Sequence, residues 1–353
     1  MADGQFADVE RIYLDTASYG IPPKATVEAL QLALHGWSTA TADWIMDWDG
    51  AGDTCRSLIA PMLGAPEDEI ALLPAASVGA AIALTWLPPG AEVVAPTDEF
   101  ASILLPALVA AEQRGATVRR VEFDALPESL TAGTALVLSS HVRSNDGRVQ
   151  DLAALGGAAK RVGARVLLDA THSAGILPID AVRHGIDYVV AAAYKHLLCP
   201  RGVAFLRVPA NRFADTDPIA ASWRSAKAPY DFYYGPSLAD LAPTAARYDV
   251  SLAWHPWFGA AASLAFLAKV PATERRDWCV GLADELAKRL DVPSTGSSVL
   301  SVPLRDGDRA RAELRERRIV GSGRGDRLRL SFHLYNDIDD VAAAAEVLGR
   351  HVA

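Results

Sequence analysis

Arg165-Val-Leu-Leu-Asp169-Ala-Thr-His172-Ser-Ala-Gly175 opens as an apolar run, ends that run on a carboxylate and passes at once into small polar residues. A short apolar run of this kind fits a strand buried on both faces of a parallel sheet. In open α/β sheets ligands bind beyond the carboxyl ends of the strands, which puts Asp169 where a ligand would lie. Twenty-six positions later, Tyr188-Val-Val-Ala-Ala-Ala-Tyr194-Lys195-His196 repeats the pattern and ends on a lysine. The chain has six lysines against twenty-eight arginines, so a lysine here is not casual surface decoration. Desolvation at a strand end lowers an amine's pKa and frees it for Schiff-base chemistry. Each signal has a plain alternative: a strand-terminal aspartate is also a turn residue, and a lysine after a strand is also a solvated exit residue. Together, at this spacing, they point to a cofactor whose ring nitrogen needs an anion and whose aldehyde needs an amine.

Further apolar runs flank this pair, at residues 70–73, 92–95, 117–123, 135–139 and 203–208. Amphipathic stretches lie between them, such as 102–114 and 152–162, closed by Gly115 and Gly163, the residue expected just past a helix end. Strands alternating with such helices predict an α/β fold with a mostly parallel seven-stranded sheet and helices on both faces. After Pro209 the pattern breaks into an irregular, aromatic-rich segment over 211–243. Helices are expected at 257–269 and 275–290, followed by an α+β tail: strand 299–302, helix 309–317, strand 327–332, helix 337–351. The expected domains are a large α/β unit over 20–260 and a smaller α+β unit over 261–353 that includes the N-terminal segment 1–19.

The net charge of −9 over 353 residues argues against a nucleic-acid binder, which needs a basic face. The N-terminal decapeptide lacks a basic and an apolar signal region, and no apolar stretch reaches the length of a membrane span. A cytoplasmic protein with no membrane partner is expected. Cys55, Cys199 and Cys279 lie far apart with no CxxC pair, which fits a reducing compartment and predicts no metal site. A dinucleotide fold would want GxGxxG after the first strand, and Ala76-Ser77-Val78-Gly79 lacks that spacing.

The Asp169–Lys195 pair resembles that of the class V aminotransferases, a family of fold-type I pyridoxal-5′-phosphate (PLP) enzymes that includes cysteine desulfurases, kynureninase and isopenicillin N epimerase-like proteins. The resemblance runs along nearly the whole chain, from Tyr13-Leu-Asp15-Thr-Ala-Ser18-Tyr-Gly20 to Arg329-Leu-Ser-Phe-His333-Leu-Tyr335-Asn336. It implies that Lys195 carries PLP as a Schiff base and moves protons at the substrate. It implies that Asp169 keeps the pyridine nitrogen protonated and that His172 lies by the ring's 3′-oxygen; His172 could otherwise be a helix-start residue facing solvent. Phe100 lines up with the aromatic that stacks on the ring.

Ser77 and the Val78 amide resemble the family's phosphate donors at a helix N-terminus, where unpaired N–H groups and the dipole favour an anion. Ser77 as an N-cap is the structural alternative. Tyr194 resembles the tyrosine that reaches the phosphate in kynureninase-like members. Trp223 and Ser251 match phosphate contacts that cross from a second subunit, or are core and turn residues. Arg329 is the candidate for a substrate α-carboxylate, because a planar guanidinium holds a carboxylate in one orientation. Arg143 and Asn145 are second candidates in a loop bordering the substrate, whereas Arg327 is expected at the surface.

The implied function is a PLP enzyme acting on a small amino acid, with transamination first and a lyase (C–S or Cβ–Cγ cleavage) or epimerase as alternatives. The family also implies a homodimer with shared active sites. Residues 291–329 contain no cysteine, which disfavours a desulfurase with a cysteine nucleophile. A catalytically silent binding module would be expected to have lost Lys195 or Asp169, and both are present.

Overall fold

The structure is a computed structural model that describes residues 4–231 and 233–353. Its strands are β1 (Ile12–Tyr13), β2 (Ile70–Leu73), β3 (Glu92–Pro96), β4 (Thr117–Val121), β5 (Thr134–Ser140), β6 (Arg165–Asp169), β7 (Tyr188–Ala192), β8 (Ala204–Arg207), β9 (Val299–Pro303), β10 (Ile319–Val320), β11 (Ser322–Arg324) and β12 (Arg327–Ser331). The helices are α1 (Lys24–Thr39), α2 (Gly50–Ile59), α3 (Ala76–Ala83), α4 (Ala101–Arg114), α5 (Leu126–Ser129), α6 (Leu152–Val162), α7 (Trp254–Lys269), α8 (Ala272–Arg289), α9 (Gly307–Glu316) and α10 (Ile338–Leu348).

Seven strands form one sheet in the order β2-β8-β7-β6-β5-β3-β4. Among the described residues its pairings are parallel except the two made by β8. Strands β2, β6, β7 and β8 are buried at every position, as continuous apolar runs require when helices cover both faces. Edge strand β4 is exposed or half-buried throughout and carries Arg119 and Arg120, whose charge blunts an open edge. The helices α4 and α6 end on Gly115 and Gly163 with φ of +60° and +76°, the left-handed cap the sequence predicts.

Several boundaries differ from the sequence reading by one to three residues, and two of them have a plain physical reason. The strand expected over 117–123 stops at Val121, because Phe123 turns inward to be buried and opens a 3-10 turn. The helix expected from 257 begins at Trp254, since Pro256 sits in its first turn, where the missing N–H costs nothing.

A three-stranded antiparallel sheet, β11-β12-β9, packs with α8, α9 and α10 around Leu300, Leu328, Leu330 and Phe332. β1 pairs with β10, so the N-terminal segment is tied to this C-terminal unit. The irregular segment after residue 211 is held by a buried ion network. Asp249 accepts from Arg56 at 2.6 Å and from the Leu72 amide at 2.8 Å, while Arg224 pairs with Asp49.

Candidate active site

The parallel strands bring their carboxyl ends to one edge of the sheet. Asp98-Glu99-Phe100 follows β3, residues 141–145 follow β5, Asp169 ends β6, and Tyr194-Lys195 follows β7. Ser140 pairs with Asp169, and Asp169 with Val190, so these ends lie side by side. The loop Ser18–Gly20 and strands β11 and β12 of the smaller unit close over them. A cavity of about 710 Å³ lies between, lined by Phe100, Arg143, Asn145, Tyr194, Lys195 and Arg329 among others.

Lys195 is 5 % exposed, and its Nζ lies 3.1 Å from His172 Nε2 and 5.2 Å from the centre of the Phe100 ring. Burial lowers its pKa to about 8; Asp169 pulls the other way and Arg329 adds to the lowering. His172 is held well below its ordinary value by burial and by Lys195, so it is neutral and accepts through Nε2 from a charged lysine. The spacing that placed His172 three residues after Asp169 therefore puts it against Lys195, fully inside the protein and not facing solvent. Asp169 accepts the Thr171 amide at 2.8 Å, and burial raises its carboxyl. Glu99 is likewise raised by burial while accepting from Ser140 and from the Phe100 amide.

These groups fit PLP. Asp169 is a buried carboxylate with no cation at ion-pair distance among the described residues, which suits the pyridinium nitrogen of PLP. His172 Nδ1 is a buried ring nitrogen without a partner. Among the described residues Lys195 has no carboxylate salt bridge, and its amine faces the Phe100 ring across the cavity.

At the phosphate end the structure revises the sequence reading in detail. Helix α3 starts at Ala76 with Ala75 in the cap position, so Ser77 is not the N-cap. Val78 N–H already donates to the Ala75 carbonyl at 3.1 Å and is not a free donor. Among the described residues the Ala76 and Ser77 amides and the Ser77 hydroxyl hold no such bond, and Ser77 lines a second cavity that meets the first at Ala101. Of the two expected donors Ser77 is thus free and the Val78 amide is not. Tyr194 lines the Lys195 cavity, its ring 5.0 Å from the Arg201 guanidinium. Trp223 and Ser251 do not line it; Trp223 Nε1 donates to Ser251 Oγ at 3.3 Å, and the indole packs against Trp44, Tyr230 and Tyr233.

Arg329 lines the cavity but is already fully engaged. It donates to Ser322 Oγ at 3.1 Å, to Ser144 O and Oγ at 2.7 and 3.1 Å, to Ser18 Oγ at 3.0 Å and to Asp15 at 3.5 Å. Arg143 and Asn145 also reach the cavity, and both are bound to Asp98, with Asp146 3.3 Å from Arg143. Their charge and donors are met within the protein, which counts against a direct hold on substrate. Arg327, expected at the surface, is exposed yet forms part of the cavity lining. Sequence reasoning missed Glu99, Ser18 and Ser144 as part of the site. Their signal was position alone, since each lies in a loop that also carries a recognised residue.

The family model described as Aminotransferase class-V matches residues 12–291. An uncharacterized aminotransferase, YcbU, of Bacillus subtilis is 27% identical over 313 residues, 82% of each chain. The kynureninase of Pseudomonas fluorescens is 30% identical over 203 residues, which is 53% of this chain and 48% of that protein. The solved structure of the cystine C-S lyase C-DES with cysteine persulfide has a TM-score of 0.86 at 22% identity, covering 98% of this chain and 99% of that one.

Proposed function

The chain belongs to the class-V aminotransferase family with PLP as its cofactor, and from that premise we propose that it transfers the amino group of a small amino acid. When bound, PLP supplies an electron-withdrawing ring that spreads the negative charge developing at the substrate's Cα. The remaining work falls to the chain's own residues.

Lys195 is the covalent anchor and, once released, the base that takes a proton from Cα and delivers it to the cofactor's C4′ carbon. Its amine suits both tasks because burial brings its pKa to about 8, near the operating range of a general base. Asp169 holds the proton on the ring nitrogen, and His172 borders the ring's 3′-oxygen. Phe100 covers one ring face. The Ala76 and Ser77 amides with the Ser77 hydroxyl hold the phosphate at the start of α3, assisted by Tyr194. Arg329 receives the α-carboxylate: three of the groups bonded to it are serine hydroxyls, which can turn aside for a ligand. Trp223 and Ser251 serve a phosphate only across a homodimer, in which each protomer completes its partner's site.

The observation that carries this reading is the buried Lys195 amine beside the unpaired Asp169 at adjoining strand ends. Transamination is favoured by the relative YcbU, whose likeness spans most of both chains. The kynureninase likeness, with Phe100 and the Tyr194-Lys195 pair, supports a lyase as the second reading. A cysteine-nucleophile desulfurase is disfavoured, because Cys55, Cys199 and Cys279 are buried thiols pushed up by burial, and none lines the cavity.

The test is to incubate the holoenzyme with amino acids and no second substrate. Transamination releases one 2-oxo acid per site and then stops until a 2-oxo acid acceptor is added. Continuous release of ammonia or a side-chain fragment without an acceptor establishes a lyase instead.

A further inference from the structure

The chain carries a net charge of −9, yet its active-site cavity is lined by four basic side chains, Arg143, Lys195, Arg327 and Arg329, against two acidic ones, Asp98 and Glu99. Arg143 is neutralised by Asp98 and Asp146, and Arg329 is bonded throughout its guanidinium. Arg327 differs from both. Its Nε donates to Ser301 Oγ at 3.0 Å, and among the described residues its guanidinium has no carboxylate partner. A cation that faces a cavity with its terminal N–H groups unclaimed is ready for an anion.

The strand geometry places this cation relative to the proposed α-carboxylate site. Arg327 and Arg329 are two apart on β12, so they project from the same face, about 7 Å apart along the strand. Ser301 lies directly opposite Arg329 on β9 and reaches diagonally to Arg327, fixing the direction in which that side chain leaves the sheet. Pro303 stands opposite Arg327 and offers no competing polar group. On β11, Gly323 also lines the cavity.

We propose that Arg327 is a second carboxylate receptor and that the substrate is a dicarboxylic amino acid, its α-carboxylate on Arg329 and its side-chain carboxylate on Arg327. The inference deepens the function proposed above and rests on its placement of Arg329. A separation of about 7 Å suits two carboxylates joined by a short aliphatic chain. Neutral amino acids leave Arg327 solvated and gain nothing from it, so selectivity arises at the far end of the substrate. Arg327 is here a binding residue with no part in the proton transfers.

The experiment is calorimetric titration of the holoenzyme with two unreactive ligands of equal length, glutarate and pentanoate. Glutarate is expected to bind at least about tenfold more tightly, the effect of one charge-assisted contact. R327Q is expected to bring glutarate to the pentanoate level, while R327K keeps part of the preference. Arg327 is exposed, so both variants are expected to load cofactor as the wild type does. Equal affinity for the two ligands in the wild type, or a preference that survives in R327Q, overturns the inference. Failure of the purified protein to take up PLP would instead count against the proposed function, because the titration reads the cavity's charge whether or not the cofactor is loaded.

Discussion

Lys195 Nζ and His172 Nε2 stand 3.1 Å apart in the protein interior, a lysine and a histidine sharing one hydrogen bond. Burial lowers the pKa of both groups, and the neighbouring Lys195 lowers that of His172 further. The strand end after Ala192 and the turn after Asp169 make this contact, so it follows from the register of β6 against β7. Burial keeps the amine proposed to attack the cofactor's aldehyde partly unprotonated near neutral pH.

The first consequence is a pH profile. Only the neutral amine attacks, so the rate at which cofactor-free protein captures PLP should rise with pH through about 8 and level off above it. Asp169 favours the charged amine, so Asp169→Asn should move the midpoint to lower pH. Arg329 disfavours it, so Arg329→Gln should move the midpoint up. Stopped-flow absorbance of cofactor uptake measures both shifts.

Asp169→Asn should also separate binding from turnover. The amide is nearly isosteric with the acid, so the variant should retain PLP. It no longer holds the ring nitrogen as a cation, and losing a charge-assisted bond of about 3 kcal/mol corresponds to about a hundredfold in rate. Turnover equal to the wild type would remove Asp169 from its proposed role.

Arg329→Gln should lower kcat/KM by roughly 10- to 150-fold, the equivalent of about 1.5–3 kcal/mol for a bond to a charged group. Cofactor content should be retained, because Arg329 meets the serines and Asp15 and not the phosphate-binding start of α3. Steady-state kinetics with a measured PLP stoichiometry checks both statements.

Asp249→Ala tests the fold away from the chemistry. The carboxylate is fully buried and accepts from Arg56 and from the Leu72 amide. Its removal leaves Arg56 without its closest carboxylate partner and should cost about 3–5 kcal/mol of stability. Urea denaturation followed by circular dichroism reads this as a lower midpoint.

The large sheet was legible because its strands are buried on both faces and read as apolar runs, and because Gly115 and Gly163 mark the helix ends. Asp169 and Lys195 were legible for a related reason: a charged residue closing an apolar strand stands out from its neighbours. The partners of Arg329 were not. Asp15, Ser18 and Ser144 reach it across more than 180 residues of chain, and nothing local in the sequence records which serine meets which arginine. The bonding of the Val78 amide was not legible, because it depends on where α3 begins and Ala75 gives no capping signal. Arg327 was assigned to the surface from its place at the strand's entry. It is exposed, but β9 and β11 make that exposed face a cavity wall.

The most direct test of the account is to reduce the PLP-loaded protein with borohydride, digest it and locate the cofactor by mass spectrometry. The account predicts one reduced pyridoxyl group per chain, on the peptide containing Tyr194-Lys195-His196, and none in Lys195→Ala. Label on another lysine, or no stable label on the wild type, would contradict it.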